Sequence, residues 1–242
     1  LSGHSKWHSI RHQKAKEDKK RGKIFSKLVR EITVAARQGG GDPSMNARLR
    51  LAIEKANEAN MPKDNIENAI KRGTGELPGV KYTEVTYEGY GPGGVAVMVN
   101  ASTDNKNRTA SQIRKIFSQH NGNLGETGCV NWIFKKKGYI AVSREKISED
   151  ELMEKALESG AEDLKTEDEK YYEIFTAPES YTSVKEEIKK IVEPDNSELT
   201  MIPQNCVKLK GKDSETILKM LDKLENNDDV QQVYANLDID TE

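Results

Sequence analysis

VKYTEVTYEGYGPGGVAVMVN, residues 80–100, is where the hydrophobic period of this chain changes from helical to two. Tyr82–Tyr87 and Val95–Val99 alternate as strands, and Gly89-Tyr90-Gly91-Pro92-Gly93-Gly94 between them reads as a hairpin turn. That loop lacks the Lys-Ser/Thr ending of a phosphate-binding loop, and no helix follows it directly. Its expected exposure suits a contact tip. Downstream, a helix is expected from about Asn107 to His120, with Ile113, Ile116 and Phe117 inward and Asn121-Gly122 as its stop. Thr103–Thr109 reads as the N-cap region of that helix, with Asp104 or Asn105 capping.

Residues 82–125 are therefore β-β-α. The tail supplies the complement: a strand at Val207–Lys210, a helix at Ser214–Leu224 and a strand at Val230–Tyr234. Neither piece makes a complete sheet domain, but together they make a four-stranded α+β sandwich of ferredoxin-like kind. Residues 130–205 are then inserted as a domain of similar mix. Its expected parts are a hairpin (Val130–Phe134 and Tyr139–Val142) turning over Lys135-Lys136-Lys137-Gly138, and a helix opened by a Ser148/Glu151 capping box. Strands near Asp163–Thr166 and Tyr171–Thr176, a helix carrying Val184, Ile188 and Ile191, and a strand at Leu199–Ile202 complete it.

Upstream of residue 80 the period is helical. Ile24, Leu28, Ile32 and Ala35/Ala36 form one stripe, ending at Gly39-Gly40-Gly41. Asp42-Pro43 is the expected cap of a second helix with Met45, Leu49, Ala52, Ile53 and Ala56 on one face. Met61-Pro62 restarts a third with Ile66, Ala69 and Ile70, stopping at Gly73. The fold class is thus α+β: an N-terminal three-helix bundle and two ferredoxin-like α+β domains, one inserted in the other. The expected divisions are a basic arm over 1–22, the bundle over 23–78, a discontinuous sandwich over 79–129 and 206–242, and the insert over 130–205.

Charge is unevenly spread along this plan. Residues 1–30 hold ten Lys/Arg against Glu17 and Asp18, a net of +8, together with His4, His8, His12 and Trp7. Residues 1–81 carry a net of +9 and residues 82–242 a net of −11. A basic end joined to an acidic remainder points to a polyanionic partner met by the N-terminal third. No apolar run approaches the ~18 residues of a membrane span, and the first residues are polar and basic, so a cytoplasmic location and no membrane partner are expected.

Several stretches resemble the YebC/PmpR family. They are Gly3-His4-Ser5-Lys6-Trp7, Lys20-Arg21-Gly22-Lys23-Ile24-Phe25, Gly39-Gly40-Gly41-Asp42-Pro43, Asn60-Met61-Pro62-Lys63, Lys71-Arg72-Gly73-Thr74-Gly75 and Tyr87-Glu88-Gly89-Tyr90-Gly91-Pro92-Gly93-Gly94. The motifs run in order along the whole chain. The family normally begins Met-Ala-Gly-His, whereas Leu1-Ser2 precede Gly3 here. The resemblance implies a three-helix domain plus two α+β domains. It also implies a regulator of gene expression, either binding DNA or acting with the ribosome to relieve stalling at proline-rich stretches. The family includes the mitochondrial translational activator of cytochrome c oxidase.

The expected nucleic-acid contacts are Lys6, Arg11, Lys14, Lys16, Lys20, Arg21, Lys23, Lys27 and Arg30, extended by Arg37, Arg48 and Arg50. His12 joins them as a phosphate-contacting histidine, and Trp7 is either a base-stacking platform or a core anchor that pins the arm to another domain. Promoter DNA and ribosomal RNA are both open as targets; the three helices show no evident recognition helix, which favours RNA. The four-residue spacing of His4, His8 and His12 allows a distant alternative, a metal-dependent hydrolase, but no carboxylate or Cys joins at comparable spacing. No GxSxG, HExxH or paired-carboxylate signature can be placed, so no enzyme, no cofactor and no metal are expected. Cys129 and Cys206 flank the insert and are expected reduced, with a bridge across its neck as the alternative. Without a heptad pattern, a monomer is the expected state.

Overall fold

The computed structural model of the chain describes residues 21–239. They form two units, one of residues 21–129 and 211–234, the other of residues 130–210 and 235–239. The architecture is α+β, with antiparallel four-stranded sheets and helices in both units.

The chain begins with helix α1 (Arg21–Gly39), followed by α2 (Ala47–Glu58) and α3 (Lys63–Thr74). Ile32, Ala35 and Ala36 of α1 close on Leu49, Ala52 and Ala56 of α2, Met61 of the turn, and Ile66 and Ala69 of α3. Small side chains let the helices approach closely. A β-carbon on Gly73 would lie 2.5 Å from the Thr33 carbonyl oxygen and 2.7 Å from the Ala36 β-carbon, so this glycine, read as a helix stop, is a contact point between α3 and α1. Gly22, read as closing the arm, lies inside α1.

The second helix starts later than expected. Asn46, not Asp42, is its N-cap, accepting from the Leu49 amide at 3.0 Å. Its amide nitrogen also donates to the carbonyls of Ala35 (2.8 Å) and Gly40 (2.9 Å), joining the end of α1 to the start of α2. A carboxylate has no donor for that second task. Asp42 instead closes a local turn onto Ser44, whose amide and hydroxyl both donate to it. Met45 consequently leaves the apolar stripe and is 83% exposed.

β1 (Thr83–Tyr90) and β2 (Ala96–Thr103) pair antiparallel from Thr83↔Thr103 to Tyr90↔Ala96. Helix α4 (Lys106–Gln119) follows, capped by Asn105, and then β3 (Asn123–Leu124). In the other unit come β4 (Phe134–Ser143), α5 (Glu149–Glu158), β5 (Asp163–Lys165), β6 (Tyr171–Thr176), α6 (Tyr181–Lys189), β7 (Asn196–Pro203) and β8 (Val207–Leu209). The chain then forms α7 (Gly211–Glu225), β9 (Val230–Ala235) and β10 (Leu237–Ile239).

The first sheet has the order β3-β1-β2-β9. Its β1–β2 connection is a packed turn rather than a contact tip. Gly93 and Gly94 take φ of 66° and 77°, which favours glycine. Gly91 and Pro92 are buried, and a β-carbon on Gly91 would meet the Ile217 side chain of α7 at 2.4 Å. Ile113 and Phe117 of α4 and Ile217, Met220, Leu221 and Leu224 of α7 are fully buried in this unit.

Two strand assignments differ from the sequence reading. The Val207 strand does not join the first sheet: β8 pairs in parallel with β10, and β3 takes the edge beside β1. Gly89 permits this, because any β-carbon there would sit 2.4 Å from the Asn123 carbonyl oxygen. In the second sheet, β5-β6-β4-β7, the lysine triplet is not a hairpin tip. Lys135, Lys136 and Lys137 lie within the continuous strand β4, opposite Ile202, Met201 and Thr200 of β7. Gly138 is needed for close approach, not for a turn, since a β-carbon would lie 2.2 Å from the Thr176 hydroxyl and 2.7 Å from the Tyr181 ring. Ile191 falls beyond α6 and is exposed. Among the described residues no helix is long and apolar enough to cross a membrane.

Candidate nucleic-acid interface

Of the expected contacts, Lys6, Trp7, Arg11, His12, Lys14, Lys16 and Lys20 lie outside the described residues, as do His4 and His8. Arg21 is the first residue of α1. Lys23, Lys27 and Arg30 follow at four- and three-residue steps, which puts them on one face of that helix. That face meets the C-terminal end of α7. Lys23 Nζ donates to the Asn226 carbonyl at 2.9 Å and lies 3.8 Å from Asp228 Oδ1. Lys27 Nζ donates to the Glu225 carbonyl at 2.7 Å. The last carbonyls of a helix lack intrahelical partners and carry partial negative charge, so ammonium groups are their natural complement.

Arg30 reaches further, to a carboxylate held by four groups. Its Nη1 lies 2.8 Å from Asp229 Oδ1 and 3.0 Å from the Ser102 carbonyl, and its guanidinium stands 5.0 Å from the Tyr82 ring centroid. Asp229 Oδ2 accepts from Arg108 Nη2 (2.7 Å), Thr109 Oγ1 (2.7 Å) and Thr103 Oγ1 (3.3 Å), while its backbone carbonyl accepts from the Ser102 amide at 2.8 Å. Burial works against the charge on Asp229, but the hydrogen bonds from Arg108, Thr109 and Arg30 outweigh it and hold the carboxyl below its usual range. Arg108 also bonds Asp104 at 2.7 Å. A cleft of about 520 Å³ opens here, lined among others by Lys23, Arg30, Tyr82, Arg108, Gln112 and Asp229. Three cations and three carboxylates share it, so it presents no net positive field.

The remaining expected residues are also held by the protein. Arg37 donates to the carbonyls of Tyr82 and Val80 at 3.2 Å each. Arg48 bonds Glu84 (2.5 and 3.1 Å), Glu31 (2.8 Å) and Gln38 (2.7 Å); these acids, Glu84 foremost, hold its guanidinium further above its usual range. Arg50 donates to the Pro43 carbonyl at 3.1 Å on an exposed surface. Basic residues between 23 and 48 thus dock α1 and α2 onto the end of α7, the lead-in to β1 and the sheet. The groups that organise this docking, Asp229, Thr109 and Arg108, were not marked by the sequence as a site. Asp229 is 121 residues from Arg108, in a polar run after α7, and nothing local distinguishes it from a solvated acid.

Burial, with Glu88 nearby, pushes the Cys129 thiol up, and burial, with Asp238 nearby, does the same to Cys206, so neither is activated as a nucleophile. Neither forms a disulfide among the described residues. No group of three His, Cys, Asp or Glu side chains among them is placed to hold a metal. α2 and α3 are joined by residues 59–62, a length that suits a helix-turn-helix. Both helices pack chiefly on α1, however, and the exposed start of α3 carries Asp64 and Glu67 against Lys63 alone, a net negative charge that opposes entry into a groove lined by phosphates.

Residues 5–76 match the TACO1/YebC protein N-terminal domain, and residues 82–237 match the TACO1/YebC second and third domain. The chain belongs to the TACO1/YebC family. A protein of Persephonella marina is 57% identical over 241 residues, covering 99% of this chain and 96% of its own, and bears the name probable transcriptional regulatory protein. A protein of Geobacter sulfurreducens with the same description is 57% identical over 243 residues, covering 100% of this chain and 98% of its own. The crystal structure of a conserved hypothetical protein from Aquifex aeolicus superposes with a TM-score of 0.84 at 52% identity, covering 94% of each chain. The TACO1/YebC fold seen there agrees with the α+β class read from the sequence.

Proposed function

We propose that this TACO1/YebC protein is a non-catalytic, nucleic-acid-binding regulator of gene expression. The observation that carries this is the N-terminal charge: ten Lys/Arg against two acids in residues 1–30. The names of the relatives, probable transcriptional regulatory proteins, agree with a regulatory role. Lys23, Lys27 and Arg30 bond to protein acceptors, so the phosphate contacts fall to Lys6, Arg11, His12, Lys14, Lys16, Lys20 and Arg21, with Arg50, half-buried and bonded to the Pro43 carbonyl, as an outlying cation. Such contacts neutralise phosphates and confer little sequence preference. A monomer acting in the cytoplasm is the accompanying expectation.

A second reading, RNA of the ribosome in place of promoter DNA, is favoured by the acidic start of α3. A helix whose exposed start carries Lys63, Asp64 and Glu67, one net negative charge, is poorly suited to read a major groove, whereas a basic segment can follow RNA phosphates without one. Sedimentation of a lysate through sucrose separates the two. Comigration with ribosomal particles, lost at high salt, is the outcome expected for RNA. Absence from those particles, with a salt-sensitive footprint on promoter DNA, is the outcome expected for DNA. Absence of both interactions would remove the proposal altogether.

A further inference from the structure

Helix α4 differs from every other α-helix among the described residues in carrying no acidic side chain. From residue 105 to 125 the charged side chains are Lys106, Arg108, Arg114 and Lys115, a net of +4 inside a stretch, 82–242, whose net is −11. Packing settles the inner side of the helix: Thr109, Ile113 and Phe117 are fully buried at four-residue steps. The outer side consists of two adjoining stripes. Arg108, Gln112, Lys115 and Gln119 recur at four- and three-residue steps on one, and Asn107, Ser111, Arg114 and Ser118 on the other, all of them exposed. Each of these positions is a cation, an amide or a hydroxyl.

Exposed cations on other helices have acids at hand. Lys219 of α7 stands 4.0 Å from Glu215, one turn away, and Lys189 at the end of α6 stands 3.3 Å from Glu193. On α4, Arg108 is engaged by Asp104 and Asp229, which fixes it at the head of its stripe. Arg114 and Lys115 are exposed, and neither side chain has an ion pair or hydrogen bond among the described residues. A face of cations spaced by neutral polar groups, free of acids, complements an extended anion. Its cations suit phosphate oxygens, and its amides and hydroxyls suit phosphate and sugar oxygens. No aromatic side chain stands at these positions, so bases have nothing there to stack on.

We propose that the outer face of α4 holds the sugar-phosphate backbone of a nucleic acid, with Arg114 and Lys115 as phosphate-contacting cations and Ser111, Gln112 and Gln119 as neutral donors beside them. Gln112 accepts from Asn227 at 2.9 Å through its carbonyl, which leaves its amide N–H groups for the ligand. The contact follows the backbone and does not read bases. It rests on the nucleic-acid-binding function proposed above and adds a second site to it, carried by the unit of residues 21–129 and 211–234 rather than by the basic N-terminal segment.

The test is fluorescence anisotropy of the full chain on oligouridylate, oligoadenylate and a mixed-sequence DNA duplex over a salt series. In Arg114→Gln/Lys115→Gln, the slope of log K against log salt is expected to become shallower by about 1.4 on the single strands and about 1.8 on the duplex. Affinity at physiological salt is expected to fall roughly 10-fold on all three, with the melting temperature unchanged. Ser111→Glu, which sets a carboxylate between the two cations, is expected to weaken binding by a similar factor, so the test does not depend on one variant folding. Lys219→Gln/Lys223→Gln removes the same charge from α7 and is expected to leave slope and affinity unchanged. Steep binding by the unmodified chain that persists in both α4 variants would give this face to an acidic protein and overturn the proposal, while the proposed function stands. Equal loss from the α4 and α7 variants, or a loss confined to one of the two RNAs, would also overturn it. An unmodified chain that binds none of the three would remove the proposed function and this contact together.

Discussion

Asp229→Ala is expected to destabilise the unit of residues 21–129 and 211–234 by about 3–5 kcal/mol, the usual cost of removing one partner from a buried ion pair. The Asp229 side chain is 5% exposed and that of Arg30 is 17% exposed. Removing the carboxylate strands the Arg30 guanidinium in a site where Ser102 offers only a carbonyl. It also takes one acceptor from the hydroxyls of Thr103 and Thr109, both fully buried, which keep their bonds to each other and to Asn105. For a chain of this size the melting transition should fall by roughly 6–20 °C. Asp104→Ala provides the contrast. It removes only the exposed bond to Arg108, and exposed pairs contribute about 1 kcal/mol or less. Equal effects from the two substitutions would refute the central place given to Asp229.

The same hub makes a pH prediction. The folded-state carboxyl of Asp229 lies below its unfolded value, so its stabilisation is complete above the unfolded pKa, about 3.9, and is lost as pH falls through the folded one. The stability gap between the unmodified protein and Asp229→Asn should therefore be constant near neutrality and narrow as pH falls below about 4. A gap that instead widens in acid would show that the carboxylate is not held ionised by its arginines.

The second large effect concerns binding. Replacing Lys14, Lys16 and Lys20 together by Gln is expected to weaken nucleic-acid binding roughly 100-fold at physiological salt, because each neutralised phosphate contributes close to one counterion to the equilibrium. Lys23→Gln and Lys27→Gln should act differently, lowering melting temperature more than affinity, since both ammonium groups bond to the carbonyls that end α7. Filter binding and thermal melting on the same preparations separate the two classes. If the Lys23 and Lys27 variants lose as much affinity as the triple variant while melting normally, the division between docking and binding cations is wrong.

That division was hidden in the sequence, where all ten basic residues before position 31 look alike. A lysine aimed at phosphate and a lysine capping a helix 198 residues away carry the same local signal. Periodicity was more informative: the change from period 3.6 to period 2 near residue 80 separated the bundle from the sheets, and the cores of both followed from it. Glycines misled in a consistent way. Gly73 and Gly138 were read as stops or turns, but each is there because another element presses on it, Thr33 and Ala36 in one case and Thr176 and Tyr181 in the other. Sequence reading assigns a glycine its conformational freedom by default. Its lack of a side chain matters only once the neighbour is known. Asp229 was illegible for the related reason that its arginines arrive from α1 and α4, far along the chain.

The dependence of binding on salt tests the central claim most directly. With the full chain titrated onto duplex DNA and, separately, onto single-stranded RNA, the logarithm of the association constant should fall linearly with the logarithm of salt concentration. If the N-terminal basic residues engage about five phosphates, the slope should be about −4.5 on DNA and about −3.5 on single-stranded RNA. A slope near zero on both, with binding retained, would contradict an interface built on phosphate contacts.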